Sequence, residues 1–212
     1  MNGEFSLNFG DARGFGKNGT YSFYGSIDDT TLEVQLEPIK APFLYFDDGS
    51  LEPYYGGYIQ YYCQPRSVVT GTLTIGEQAH RITGYGYYEH AFGRLRPVWR
   101  VGWDWIVIQL DGGSEIIIGI SRLYSYLWVY DAECMKERKD FEIRPLNTWV
   151  SEITACQYAI SWSLRFENKQ YLIQAVHPEG EMVERAFIKY ETPIIVSGTE
   201  TGRGFIESMG TC

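Results

Sequence analysis

Alternation with a period of two runs through most of this chain, and no other feature restricts its fold as much. Thr20 to Gly25 alternates. After the turn signal Asp28-Asp29, Thr31 to Leu36 alternates again, with Leu32, Val34 and Leu36 on one face. Tyr58 to Cys63 and Val68 to Ile75 follow, and Gly76-Glu77 reverses the chain into Arg81 to Tyr88. Trp103 to Leu110, the turn Asp111-Gly112-Gly113 and Glu115 to Ser121 read as a hairpin. Leu127 to Tyr130, Asp140 to Ile143, Tyr158 to Phe166, Tyr171 to Val176, Ile194 to Val196 and Gly204 to Glu207 complete the series. Helical spacing is confined to Ala132 to Lys139. About twelve short strands broken by Gly, Pro, Asn and Asp predict an antiparallel all-β fold, barrel or sandwich. They are too many for one simple eight-stranded barrel. Two β lobes are therefore expected, over residues 1–124 and 125–212, with the break near Tyr124 to Glu137. Strands that mix apolar residues with Tyr, Gln and Ser suit a wall with a core on one face and a cavity on the other.

The charge balance removes several functions. The chain has 18 basic against 27 acidic residues, a net charge of −9, where a phosphate-backbone binder needs the opposite sign. An anionic membrane surface would repel it too. No stretch reaches the roughly 18 apolar residues of a membrane-spanning helix. Met1-Asn2-Gly3-Glu4-Phe5 has neither the basic nor the apolar part of a signal peptide. Cys63, Cys134, Cys156 and Cys212 form no C-x-x-C pair, so reduced, inert thiols in a cytoplasmic protein are expected. His80, His90 and His177 show no metal-ligand spacing, and no metal is expected. There is no G-x-S-x-G elbow, no H-E-x-x-H and no P-loop. Gly10 to Gly16 is glycine-rich but lacks the strand-to-helix setting of a dinucleotide fingerprint.

Three clusters could carry chemistry. In Gly84-Tyr85-Gly86-Tyr87-Tyr88-Glu89-His90-Ala91-Phe92-Gly93, the pleat puts Tyr87 and Glu89 on one face and Tyr88 and His90 on the other. A carboxyl group among aromatic rings loses hydration and is expected to titrate high, as a general acid near neutral pH needs. Equally, Glu89 could pair with His90 or an arginine and merely hold the end of a barrel. In Trp103-Asp104-Trp105-Ile106-Val107-Ile108-Gln109-Leu110, one face carries Trp103, Trp105 and Gln109, and the other carries Asp104 with the isoleucines. The two indoles could form a flat wall for a polyene or a developing cation, or they could be ordinary core. Asp104 needs a partner if buried, and His90, Arg94, Arg96 and Arg100 are candidates. The third cluster runs from Tyr54 to Tyr62, where Gln60 and Tyr62 face one way and Tyr61 the other. Its hydroxyls could position a mostly apolar ligand.

Several motifs together resemble a known family. They are Tyr61-Tyr62-x-x-Pro65-Arg66 with Gly71-Thr72-Leu73, Gly86-Tyr87-Tyr88-Glu89-His90-x-Phe92-Gly93, and Gly102-Trp103-Asp104-Trp105 with Gln109, Gly113 and Arg122. Further on come Trp149-x-Ser151 with Tyr158 and Trp162, and Gly198 with Gly202-x-Gly204-Phe205-Ile206-Glu207. In order and approximate spacing they resemble the lipocalin-like hydroxyneurosporene synthase (carotenoid 1,2-hydratase) and AttH superfamily. The resemblance implies two calycin-like barrel lobes side by side, the first abbreviated here. It implies a pocket for an apolar small-molecule substrate, no cofactor, and an acid at the position of Glu89 with Tyr87 beside it. The family's usual acid is Asp, and its His-x-Trp element falls here at Gln60-x-Tyr62. Binding roles are expected for Trp103, Trp105, Tyr62, Gln60, Tyr88, His90, Asp104 and Gln109. The leading functional expectation is a cofactor-independent cyclase of polyene, terpenoid or polyketide-type substrates. The alternatives are an alkene hydratase of the carotenoid 1,2-hydratase type and a non-catalytic carrier of an apolar ligand.

Overall fold

The computed structural model describes residues 4–17, 19–51, 58–94, 102–121, 125–131, 134–183 and 188–209. The described residues form eighteen strands and no helix, so the all-β antiparallel expectation holds. The chain divides into two compact units, Met1–Arg94 and Leu95–Cys212.

In the first unit the strands are β1 (Glu4–Phe9), β2 (Ala12–Lys17), β3 (Thr20–Ile27), β4 (Thr30–Pro38), β5 (Phe43–Leu44), β6 (Ser50–Leu51), β7 (Tyr58–Ile75) and β8 (Gln78–Arg94). β1 to β4 meander and β4 pairs with β7. The long β8 takes the other edge of β7, while β5 and β6 pair with the start of β7. The turns fall at the expected residues, with Asp28 at φ 52° and Gly76 at φ 58°. The two runs Tyr58 to Cys63 and Val68 to Ile75 are one strand of 18 residues, with a bulge between Gln64 and Ser67. Buried Pro65 and Arg66 occupy the bulge, where proline's missing N–H costs the ladder nothing. The glycine-rich segment after Gly10 is β2, and side chains on Gly14 and Gly16 would press on the Phe23 and Phe5 rings. In a flat sheet β1 and β8 would be ~24 Å apart. Yet Phe5 of β1 stacks on Tyr88 of β8 with ring centroids at 6.2 Å, and Tyr21 of β3 on Tyr88 at 4.6 Å. The sheet is therefore curled, with the face of Phe5, Tyr21 and Tyr88 inside.

In the second unit the strands are β9 (Trp103–Leu110), β10 (Glu115–Ser121), β11 (Ser125–Tyr130), β12 (Met135–Glu137), β13 (Phe141–Val150), β14 (Gln157–Phe166), β15 (Lys169–Ala175), β16 (Glu181–Val183), β17 (Ile188–Gly198) and β18 (Gly202–Met209). They form one sheet in the order β12-β11-β10-β9-β18-β17-β15-β14-β13, with β16 on β17. The boundary expected near 124 is corrected. β9 and β10 belong to the second sheet, because β9 takes β18, the last strand, as its neighbour. The helix expected over Ala132 to Lys139 is also corrected, since Met135–Glu137 adds a strand to β11 instead. The sheet wraps a filled interior. Trp162, Tyr158, Tyr171, Ile106, Ile118 and Leu164 are almost wholly buried in one apolar cluster. Each contributes roughly 1.5–3 kcal/mol. The empty apolar chamber expected inside the strands is thus occupied by side chains in this unit. Cys63 and Cys134 are outside any disulfide, but Cys156 is disulfide-bonded, against the expectation of four reduced cysteines. The sequence could not reveal this, because the pairing comes from tertiary proximity and not from a local motif.

Candidate active site

Across the ladder from β7 to β8, Tyr61 faces Ala91, Tyr62 faces His90, Cys63 faces Glu89 and Gln64 faces Tyr88. Partners across an antiparallel ladder share a face. One face therefore gathers Tyr61, Cys63, Tyr87 and Glu89, and the other gathers Tyr62, Gln64, Tyr88 and His90.

On the Glu89 face, the hydroxyls of Tyr87 and Tyr61 both donate to Glu89 Oε2, at 2.6 and 2.7 Å. Tyr45, in the turn after β5, places its hydroxyl 2.8 Å from that of Tyr87. Its ring lies 4.5 Å from the Tyr61 ring and 5.0 Å from Phe43. Tyr45 and Cys63 are fully buried, whereas Glu89, Tyr61 and Tyr87 are half-buried. Glu89 is thus neither sealed in the core nor out in bulk water. Burial pushes the Tyr45 and Tyr87 phenols well above their ordinary titration range, so both stay protonated and can donate. This is chemistry for moving protons: a carboxyl group, two neutral donors on one of its oxygens, and a third hydroxyl behind them.

The opposite face lies inside the curl and is aromatic. Tyr88 stacks between Tyr21 and Phe5, with Phe23 tilted at 5.6 Å. Tyr62 meets His90 edge-on at 5.6 Å, with its hydroxyl 3.4 Å from His90 Nδ1. Gln64 Nε2 reaches the Tyr21 hydroxyl at 3.4 Å. Gln60 donates from Nε2 to Ser50 Oγ at 2.6 Å, which ties β6 to β7. The expected binders Tyr62, Tyr88 and His90 are therefore together, but on the other side of the sheet from Tyr87 and Glu89.

Trp103, Trp105 and Gln109 lie along one face of β9 in the second unit, as the pleat requires. The Trp105 ring is 5.8 Å from Trp128, which stacks on Tyr126 at 5.2 Å. Gly119, opposite Trp105, leaves the room its indole occupies. Asp104 is on the core side, and among the described residues its hydrogen-bond partner is Ser208, not His90. Ser208 Oγ, beside it on β18, donates to Asp104 Oδ1 at 2.5 Å. Burial pushes the Asp104 carboxyl above its usual range, and the Ser208 hydrogen bond draws it partway back. Arg96, Arg100, Arg122 and Tyr54 to Gly57 lie outside the described residues, as does the side chain of Arg94.

Sequence reasoning missed Tyr45 altogether and left Tyr61 and Cys63 without roles. Tyr45 sits in a turn with no periodic signal. Tyr61 and Cys63 join Glu89 only through the bulge. Counted back from the Gly76 turn, Glu89 would face Gln64, and the bulge moves it to Cys63.

Comparison with known proteins places the chain in a family. A family model described as AttH-like matches residues 4–211. The crystal structure of an AttH protein from Nitrosomonas europaea superposes with a TM-score of 0.85 at 20% identity, covering 96% of this chain and 69% of that one. Kievitone hydratase from Nectria haematococca superposes with a TM-score of 0.81 at 15% identity, covering 98% of this chain and 71% of that one. At such identities the two structures share the lipocalin-like fold. No curated protein matches the sequence. The resemblance carried by the motifs is borne out over nearly the whole chain, and the protein belongs to the AttH-like family.

Proposed function

We propose that this protein is an enzyme that adds water to a carbon–carbon double bond of an apolar small molecule, or removes it, with Glu89 passing the proton. The observation that carries the reading is the convergence of the Tyr61 and Tyr87 hydroxyls on one oxygen of a half-buried carboxyl group. In this reading Glu89 holds the transferable proton while the two phenols hold its carboxyl group in place. That proton passes to one alkene carbon, and a carbon–oxygen bond forms from water to the other. The water proton returns to the carboxylate, so alkene plus water becomes alcohol with the enzyme regenerated. A structural neighbour that is itself a hydratase supports a water-adding reaction. Cyclisation of a polyene, the leading expectation from sequence, is the second reading. What favours it is the aromatic inner face of Phe5, Tyr21, Phe23 and Tyr88, which could hold a folded chain and steady positive charge. It loses ground because the second unit is filled and Glu89 points away from that aromatic face.

Incubation with a panel of apolar alkenes and enones in oxygen-18 water separates the readings by mass spectrometry. A hydratase yields a product heavier by one labelled water. An unlabelled isomer of unchanged mass overturns hydration in favour of cyclisation. Stoichiometric binding without turnover across the panel overturns both in favour of a carrier.

A further inference from the structure

We propose that Tyr45 is a positioning residue for Glu89, setting the direction of the hydrogen-bond chain that ends on the Glu89 carboxyl group. The inference rests on the Glu89 reading above and extends it to a residue that acts through Tyr87.

A phenol has one proton to give. Tyr87 gives its proton to Glu89 Oε2 at 2.6 Å. The 2.8 Å contact between the Tyr45 and Tyr87 hydroxyls therefore takes its proton from Tyr45, and the bond between Tyr45 and Cys63 takes its proton from the thiol. The order is Tyr45 to Tyr87 to Glu89. Donation into the Tyr87 oxygen polarises its O–H bond and strengthens the next bond in the chain. The same Tyr45 ring packs 4.5 Å from Tyr61, the second donor to Glu89. One side chain thus governs both phenols that hold the carboxyl group, one by hydrogen bonding and the other by packing.

The backbone around Tyr45 is built to hold it there. Tyr45 N–H donates to the Tyr61 carbonyl at 3.2 Å, Gly49 N–H to the Tyr45 carbonyl at 2.7 Å, and Tyr61 N–H to the Gly49 carbonyl at 2.7 Å. Phe46 and Asp47, two consecutive non-glycine residues, sit at φ 56° and 66°. Such strain persists only where the surroundings over-determine the conformation, and it gathers at functional sites. Among the described residues, the groups around Glu89 include Tyr61 and Cys63 from β7 and Tyr87 from β8, with Tyr45 of this turn behind Tyr87.

The test reads the Glu89 carboxyl group directly and needs no substrate. The protein is labelled with carbon-13 at the glutamate carboxyls, the Glu89 resonance is identified by its loss in Glu89→Gln, and its titration is followed by NMR. Tyr87→Phe and Tyr61→Phe each remove a donor to the carboxylate and raise the midpoint. Tyr45→Phe keeps the ring, weakens the Tyr87 bond, and raises the Glu89 proton affinity by roughly two- to fourfold. Replacing Tyr45 by 3-fluorotyrosine keeps ring and hydroxyl, donates more strongly, and lowers the midpoint. This second variant decides the matter if Tyr45→Phe does not fold. A midpoint that moves in Tyr87→Phe but stays put in both Tyr45 variants overturns the positioning role and leaves the Glu89 reading intact. Midpoints unmoved in Tyr87→Phe and Tyr61→Phe overturn both.

Discussion

At Glu89 two phenol protons meet on one carboxyl oxygen, and the role proposed for the residue rests on that contact. Glu89→Gln keeps an acceptor for both hydroxyls but cannot pass a proton. Turnover of the alkene found by the labelling screen is expected to fall about a hundredfold, with the thermal midpoint nearly unchanged. Steady-state kinetics and a melt on the same sample check it, and wild-type turnover would remove Glu89 from the chemistry. Asp104 is the opposite case, a carboxyl group whose setting is costly and whose partner among the described residues is a serine. Its folded titration lies above the ordinary Asp value of 3.8. The folded state therefore holds the proton more tightly than the unfolded chain. That contribution is fully present below the unfolded value and is lost as pH rises through the folded one. Asp104→Asn, which can still accept from Ser208, should melt higher than the parent at pH 7. The gap should close as the pH falls toward 4. A lower midpoint at pH 7 would mean that the charge is needed where it is.

Two elements show how local chemistry pins longer-range geometry. The hairpin of β7 and β8 is one long ladder whose bulge at Pro65 and Arg66 slips the register by one residue. Because the side-chain period is two, that slip decides which tyrosines meet Glu89. In the second unit, the turn between β13 and β14 is clasped to β16 through Glu181. Ser151 Oγ, Thr154 Oγ1 and the Tyr158 hydroxyl all donate to its carboxylate, at 2.5, 2.6 and 2.8 Å. Burial pushes the Glu181 carboxyl up, but these three donors together hold it below its ordinary 4.5. A depressed folded value contributes stability above the unfolded value, and this is lost as pH falls through the folded one. The parent should therefore lose more stability than Glu181→Gln between pH 6 and pH 3 in urea melts. Equal losses would show that the clasp does not bear on folding. The motif residues Trp149, Ser151, Tyr158 and Trp162 find their use here. Trp149 and Tyr158 stack at 6.0 Å beside the clasp, and Trp162 fills the core.

For the whole molecule, the unit from Leu95 to Cys212 carries its own sheet and its own apolar cluster. Residues 95–212 expressed alone are expected to unfold in one cooperative thermal transition. A fragment with strand-like far-ultraviolet dichroism but no cooperative melt would contradict that. The all-β class, most strands and the face on which each side chain of β8 and β9 points were legible in the sequence. Period-two alternation and turn chemistry are local properties, written residue by residue. The motif set, from Gly86-Tyr87-Tyr88-Glu89 to Gly204-Phe205-Ile206-Glu207, was legible as family membership for the same reason. What the chain could not declare was pairing over distance. Asp104 finds Ser208 because β9 lies beside the final strand, Tyr45 finds Tyr87 across two strands, and Cys156 forms a disulfide that no local motif announces. Alternation sets only which of two faces a residue takes. Which strands become neighbours, and in what register, depends on bulges and closure of the whole sheet, and these exist only once the chain has folded.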